Sequence, residues 1–464
     1  MRWGRLSLIW LMCLVPYTSF ATPDREAALF GAPEESPDAK ADPMESATSP
    51  PSKTVITPQS DPLEIGGRLY LRTQTFAFDD QEASELPLDH SALVYLYGDA
   101  RPTSRLRAFL KTRIDHRFTQ TAGAFTQGAD GPGGDGANTT NVQLDQLWLK
   151  FDLGRTVFVT FGQQPVRWGT TRIWNPVDFV NAQRKDPLAI FDARPGIPLL
   201  KLHMPIEGLG DGANLYAIAQ LDDAETLTDV GGLLRAEVTY GATETGLSFA
   251  ARSEQPIRLG MDFSGGVGPL ELRLEGAASH GGDQHTWSGP LVIDPQAPEF
   301  PSRVDRSDDW IPKATAGIEW GIPYGDEDTL YLTLEYFYND AGYTDEALYP
   351  WLVTQGEYAP LYLGRHYVGA GLVIPRPGGW NDTTFLMTGI SNLSDGTHIA
   401  RADYQVRVLT RLSLYCFVSS HFGEGGEFRF ELDIPPVPGV PELEQGLSIE
   451  PMRFNAGVWL SLDL

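Results

Sequence analysis

The sequence predicts an all-β fold, an antiparallel transmembrane β-barrel of about 18 strands, or of 14 or 16 if some segments are split or spurious. Three observations predict it. The closing segment alternates, with Phe454, Ala456, Val458, Leu460, Leu462 and Leu464 on one face and Asn455, Gly457, Ser461 and Asp463 on the other, Trp459 alone departing. Several earlier segments sort their residues by parity in the same way, and the connections between segments take turns at being compact and long. A strand of about 9 to 11 residues with one apolar face is long enough to cross a tilted bilayer.

From the N-terminus, Arg2 and Arg5 precede an apolar run from Leu6 to Val15, and Ser19, Phe20 and Ala21 follow. That order of charge, greasy middle and small residue marks residues 1–21 as a secretory leader. Cys13 leaves with it, so Cys416 becomes the one cysteine of an exported chain and no internal disulfide forms. Residues 22–62 are rich in Pro, Ala, Ser, Glu and Asp and nearly lack aromatics, which predicts a disordered periplasmic extension ahead of a barrel over 63–464. Outside the leader no apolar run is long enough for a helical membrane anchor.

The net charge of -26 and pI near 4.6 argue against nucleic acid as a partner, because phosphate contacts need clustered Lys and Arg. Acidity alone selects no partner.

Within the barrel region, Leu106, Ala108, Leu110, Thr112 and Ile114 alternate with Arg105, Arg107, Lys111, Arg113, Asp115 and Arg117. A face so charged is no protein core. Leu147, Leu149, Phe151 and Leu153 oppose Gln146, Trp148, Lys150 and Asp152, and the leucines of Leu270 to Leu274 alternate with Glu271 and Arg273. From Leu330 to Tyr338, Leu332, Leu334 and Tyr336 oppose Tyr331, Thr333 and Glu335. Soluble sandwiches alternate too, but over shorter strands.

Long connections are expected at 79–90, 119–141, 164–197, 222–231, 280–311, 341–364 and 435–450. Compact turns are expected at Asp99 to Ser104, Gly154 to Arg155, Gly241 to Glu244, Gly265 to Gly268, Tyr324 to Asp328 and Pro375 to Asp382. The connections near Glu254 to Pro256 and Asp395 to His398 are short where this threading wants an outer loop. An even strand number puts both termini at the short-turn, periplasmic end. Aromatics near segment ends, among them Tyr95, Tyr97, Trp310, Trp320, Tyr324, Tyr336, Phe337, Tyr362, Tyr367, Trp380 and Trp459, are expected to form girdles at headgroup depth.

The most specific local feature runs Gly162, Gln163, Gln164, Pro165, Val166, Arg167, Trp168, Gly169, then Arg172, Trp174, Asn175, Pro176, Val177, Asp178 and Asn181. It ends a strand and begins a loop. It resembles the signature of a broad, porin-like group of bacterial outer-membrane barrels, in which Gly, Arg or Gln, Trp and Gly close a strand and Asn, Pro, any residue and Asp follow. The resemblance implies a barrel with an inward-folding loop and implies no particular solute. Asn175 before Pro176 favours an extended turn, where Asp178 can accept backbone N–H bonds or pair with Arg167 or Arg172. Two roles stay open for the loop. Its residues either pin it to the wall, or Arg167, Trp168, Arg172, Asn175, Asp178, Arg184, Lys185 and Asp186 form part of a pore constriction.

The pore-lining candidates are Arg105, Arg107, Lys111, Arg113 and Arg117, with Lys150 and Asp152 beside them. Either Asp145, Asp152, Glu237 and Glu271 neutralise this stripe in cross-strand pairs, or part of it favours anions. Asp130, Asp135 and Asn138 lack the spacing of a calcium loop, and the histidines have no metal-ligand pattern, so no cofactor or metal is expected. The leading functional expectation is an outer-membrane channel for small solutes, not an enzyme. The expected partners are membrane lipid, the machinery that assembles barrels through a C-terminal strand, and the solutes themselves. A surface-binding barrel with a plugged lumen is the alternative. A barrel hydrolase is weaker, because no Gly-x-Ser-x-Gly or paired Ser and His appears.

Overall fold

The computed structural model describes residues 62–79, 81–82, 84–119, 139–181, 183–189, 193–282, 284–292, 299–325, 328–434 and 447–464. The segments expected to form a leader and nearly all of an N-terminal extension, and the stretch carrying Asp130, Asp135 and Asn138, lie outside them.

The strands in chain order are β1 Leu63–Phe78, β2 Leu88–Thr103, β3 Leu106–Arg117, β4 Thr140–Leu153, β5 Val157–Gln164, β6 Ile197–Ile206, β7 Gly212–Gln220 and β8 Gly231–Tyr240. Next come β9 Thr243–Ala251, β10 Ile257–Val267, β11 Leu270–His280, β12 Thr286–Ser288, β13 Ser302–Val304, β14 Trp310–Tyr324 and β15 Asp328–Asn339. The last are β16 His366–Pro375, β17 Thr383–Asn392, β18 Thr397–Leu409, β19 Leu412–Phe422, β20 Leu432–Ile434, β21 Leu447–Ile449 and β22 Met452–Asp463. One short helix, α1 Tyr349–Thr354, lies between β15 and β16. Eighteen strands form one antiparallel sheet; β12–β13 and β20–β21 are separate small hairpins in the loops. Each wall strand pairs with its neighbour in sequence, and β1 pairs with β22 from Arg68↔Asp463 onward, so the sheet closes. Closure leaves no edge strand and lets every strand satisfy its backbone on both sides, as a bilayer demands. Among the described residues no helix is long and apolar enough to cross a membrane.

The period-two pattern fixes which face meets lipid. In β22 the even residues, with Val458, Leu460 and Leu462 exposed, point outward, while Trp459 faces inward beneath Arg72, 5.3 Å from the ring centre. Leu147, Leu272, Leu274, Leu332 and Leu334 are exposed on the same outer surface, whereas their alternating partners Glu271, Arg273, Thr333 and Glu335 point into the barrel. One register shift, between Lys111 and Thr112, leaves Asp145 as an extra residue on β4 and turns it inward beside Gln146.

Compact turns lie at the end where β1 begins and β22 ends, and the longer connections lie at the other. The short connections at 252–256 and 393–396 also fall at the long-loop end, as the threading requires. The girdle expectation needs correction. Trp310, Trp320 and Tyr336 face outward and are exposed, but Tyr95, Phe337 and Tyr367 are buried inside the barrel, and Tyr97 and Trp459 also face in. They alternate with lipid-facing residues, so parity, and not nearness to a strand end, decides their side.

Candidate functional site

The 165–196 loop between β5 and β6 folds into the lumen and crosses it. Val166, Trp168, Phe179 and Val180 pack on the inner face of β6–β9 with Leu199, Ile218, Leu233 and Ala250. Ile173, Trp174 and Leu188 pack on the far wall with Phe337, Tyr367, Val373, Ile390 and Ile399, joined by Leu361 and Phe428 from other loops. Trp174 stacks on Phe337 with ring centres 5.4 Å apart, and its indole N–H donates to the Leu361 carbonyl at 3.2 Å. Two wall glycines make room. A Cβ at Gly260 would lie 2.9 Å from Phe179 Cζ, and one at Gly369 would collide with Ile173.

Three wall glutamates anchor the tip. The Glu275 carboxylate on β11 accepts from Thr170 N at 2.5 Å, Thr171 N at 2.8 Å and the Thr171 hydroxyl at 2.7 Å. The Glu335 carboxylate on β15 accepts from Arg172 N at 2.5 Å and Ile173 N at 2.8 Å. Glu319 on β14, fully buried, pairs with Arg172 Nε at 3.3 Å. Four consecutive loop amides thus meet carboxylates, which satisfies backbone that no strand partner reaches. Sequence reasoning did not single out these glutamates. Their signal was inward parity on three neighbouring strands.

The predicted loop residues take different places. Arg172 is buried against Glu319, and Trp168 is buried with Arg235 5.6 Å from its ring centre. Asn175 donates to the Thr171 carbonyl at 2.7 Å. Asp178 accepts a backbone N–H bond from Trp168, pairs with Arg194 at 3.3 Å and accepts from Asn181 at 2.8 Å; burial pushes its carboxyl up and Arg194 opposes the shift. Lys185 donates to the Arg172 carbonyl at 2.8 Å, Arg184 lies 4.5 Å from the Tyr362 ring centre, and Asp186 caps Leu188 N at 2.8 Å. Arg167 alone of this set is an exposed residue.

On the wall, most of the basic stripe has carboxylate partners. Arg105 pairs with Asp152 at 2.6 Å, Arg107 with Asp99 at 2.8 Å and Arg113 with Asp145 at 3.3 Å. Arg113 also donates to the Ala193 carbonyl at 2.7 Å, which ties the stripe to the loop. Lys111 sits 4.2 Å from the Tyr95 ring centre, and Arg107 lies 5.4 Å from that of Trp148. Lys150 and Arg117 face inward on β4 and β3. Two of the expected acids serve other arginines: Glu237 pairs with Arg235 at 2.6 Å, and Glu271 with Arg273 at 2.5 Å. Asp262 completes the former group, bound by Arg235 at 2.6 and 2.9 Å.

Above the loop, Glu427 joins two outer connections. Its carboxylate accepts from the Tyr367 hydroxyl at 2.6 Å, Asn392 Nδ2 at 2.8 Å, and the Tyr362 and Leu363 amides at 3.1 and 3.2 Å. Burial pushes its pKa up to about 7, with Asp395 adding to the rise and the donors opposing it. Among the described residues no group of His, Cys, Asp and Glu is placed to hold a metal.

The arrangement defines a class: a closed barrel with an apolar exterior, an ionic interior and a fixed loop across the lumen. No family model matches the chain, and no curated protein matches it. Among solved structures, Pseudomonas aeruginosa OccK9 (OpdG) aligns at 12% identity over 86% of this chain and 99% of its own, with a TM-score of 0.48. Pseudomonas putida OprB aligns at 10% identity over 87% and 94%, with a TM-score of 0.45. Pseudomonas aeruginosa OpdK, solved with vanillate, aligns at 12% over 86% and 98%, with a TM-score of 0.45.

Proposed function

We propose that this chain is a porin-like channel of the bacterial outer membrane that passes small solutes, with the 165–196 loop as its constriction and a bias toward anions. The observation that carries this reading is the seated loop. A segment anchored to both sides of the lumen by two apolar clusters and three glutamates narrows the passage without a moving part. A closed barrel with ionic groups inside and aliphatic groups outside suits transport across lipid. The bias rests on the loop flank nearest β3, where Arg113 and Arg167 both stand close enough to Lys111 to repel it while Asp145 supplies the acid.

Single-channel recording on the refolded chain in planar bilayers tests the channel, and reversal potentials across a salt gradient test the bias. Discrete conductance steps are expected, with a reversal potential of the anion-preferring sign that shifts toward zero in Arg113→Gln/Arg167→Gln. Silent bilayers bearing inserted protein would reject the channel and favour the plugged barrel. Cation preference, unmoved by the double substitution, would reject the bias alone.

A further inference from the structure

The outward positions of the wall strands are almost without charge. No Lys, Arg or Glu alternates to that side, and Asp328, at the short-turn end, is the one Asp. Histidine is the exception with a pattern. Of the eight histidines in the chain, His90, His116, His280, His366 and His398 point outward, and each falls within three residues of the long-loop end of its strand. The other three are elsewhere: His203 and His421 face inward, and His285 lies in a loop.

Three of the five share one construction. A hydroxyl of the neighbouring strand takes Nδ1: Thr73 at 3.0 Å for His90, Thr140 at 2.8 Å for His116 and Tyr336 at 2.7 Å for His366. Nε2 of each then has no hydrogen-bond partner among the described residues, and a hydroxyl donating to Nδ1 leaves the ring proton on Nε2. Aromatic rings flank the belt: Phe118 stands 4.7 Å from His116, Trp310 5.2 Å from His280, and Tyr338 5.5 Å from His366. Such rings mark headgroup depth, where phosphate is the anion available to an N–H donor.

We propose that these five imidazoles form a belt that binds phosphate-bearing headgroups of the outward leaflet, more tightly when the rings are protonated. The proposal rests on the membrane placement and not on conductance. The complementarity is local, because the chain as a whole is strongly acidic. The titratable and charged groups that face the rings are Tyr336 and Tyr338 beside His366, with the Arg306–Asp340 pair behind the Tyr338 hydroxyl; the other charges of the neighbouring strands alternate inward. The register partners of the remaining rings are neutral: Thr73 for His90, Thr140 for His116, Trp310 for His280, and Ser391 and Phe422 for His398.

The experiment inserts the full chain into phosphatidylcholine vesicles doped with phosphatidic acid, confirms insertion by flotation, and measures by mass spectrometry the phosphatidic acid kept after mild detergent extraction. A cation beside an anionic surface contributes roughly 1 kcal/mol, about fivefold, so retention at about pH 5.5 should exceed that at about pH 8 roughly fivefold or more. Replacing all five histidines by Gln should bring that ratio to about one, and His280→Gln/His398→Gln, at the two exposed positions, should lower it if the fivefold variant fails to insert. His203→Gln should leave it unchanged. Equal retention at both pH values, or a ratio unmoved by the substitutions, overturns the belt; a dimer with equal retention assigns the rings to contact between copies instead. A chain that does not float overturns the membrane placement itself.

Discussion

Removing the Glu275 carboxylate should unseat the 165–196 loop. In Glu275→Ala, compared with the native chain at about pH 9, the Thr170 and Thr171 amides and the Thr171 hydroxyl lose their carboxylate acceptor at 2.5, 2.8 and 2.7 Å, deep in the barrel. At roughly 1.5 to 3 kcal/mol for each bond to a charged group, and discounting for shared geometry, the loss is about 5 kcal/mol. Glu275→Gln keeps the Oε1 acceptor but not its charge; neutral bonds are about half as strong, so it should cost roughly 2 kcal/mol. Amide hydrogen exchange on the refolded barrel reads this directly. Protection of Thr170, Thr171, Arg172 and Ile173 should fall by three to four decades in Glu275→Ala and by one to two in Glu275→Gln, at about 1.4 kcal/mol per decade. Protection should persist on β1 and β22, which the loop does not anchor. Unchanged exchange at these four residues in the alanine variant would refute the clamp.

Gly369→Ala should strain the seated loop by about 1 to 3 kcal/mol through its collision with Ile173, whereas Gly276→Ala, with open space around its Cβ, should be near neutral; thermal unfolding in detergent distinguishes them. Asp262→Ala leaves Arg235 buried with Glu237 but without its bidentate partner and should destabilise the barrel by about 2 to 3 kcal/mol, measurable by urea unfolding. Burial raises the Glu427 carboxyl from an ordinary value of 4.5 to about 7 in the folded chain, so the folded form binds the extra proton between those values. The stability this adds is full below about pH 4.5 and is lost as pH rises through about 7. Exchange at Tyr362 and Leu363 should therefore be slower near pH 5 than near pH 8, after correction for intrinsic rates, and the reverse order would refute the assignment.

The wall was legible in the sequence because its code is binary. The outward leucines of β11, β15 and β22 alternate with polar partners over runs long enough to count, and one glycine-marked turn after another sets the strand ends. The interior was less legible, because a barrel lumen admits aromatics and aliphatics as readily as ions once a loop fills it. Tyr95, Phe337 and Tyr367 looked like membrane-interface residues for that reason. The 165–196 loop was legible as a feature through Arg167, Trp168, Asn175, Pro176 and Asp178, but its receptors were not. Glu275, Glu319 and Glu335 stand 98 to 163 residues away from the loop atoms they bind, and nothing local to a strand announces a partner from so far along the chain. The basic stripe was visible, and so were Asp145 and Asp152; Asp99, which takes Arg107, was hidden at the edge of a predicted turn.

The same separation has a consequence for biogenesis. The 165–196 segment leaves the ribosome well before β11, β14 and β15, so the glutamates that anchor its tip do not exist when it is made. It must wait, and the interior can solidify only after those later staves have curled round to meet it. A chain halted short of β15 would carry a tongue seated on β6–β9 alone at one end, its tip lacking Glu335 and the far-wall cluster.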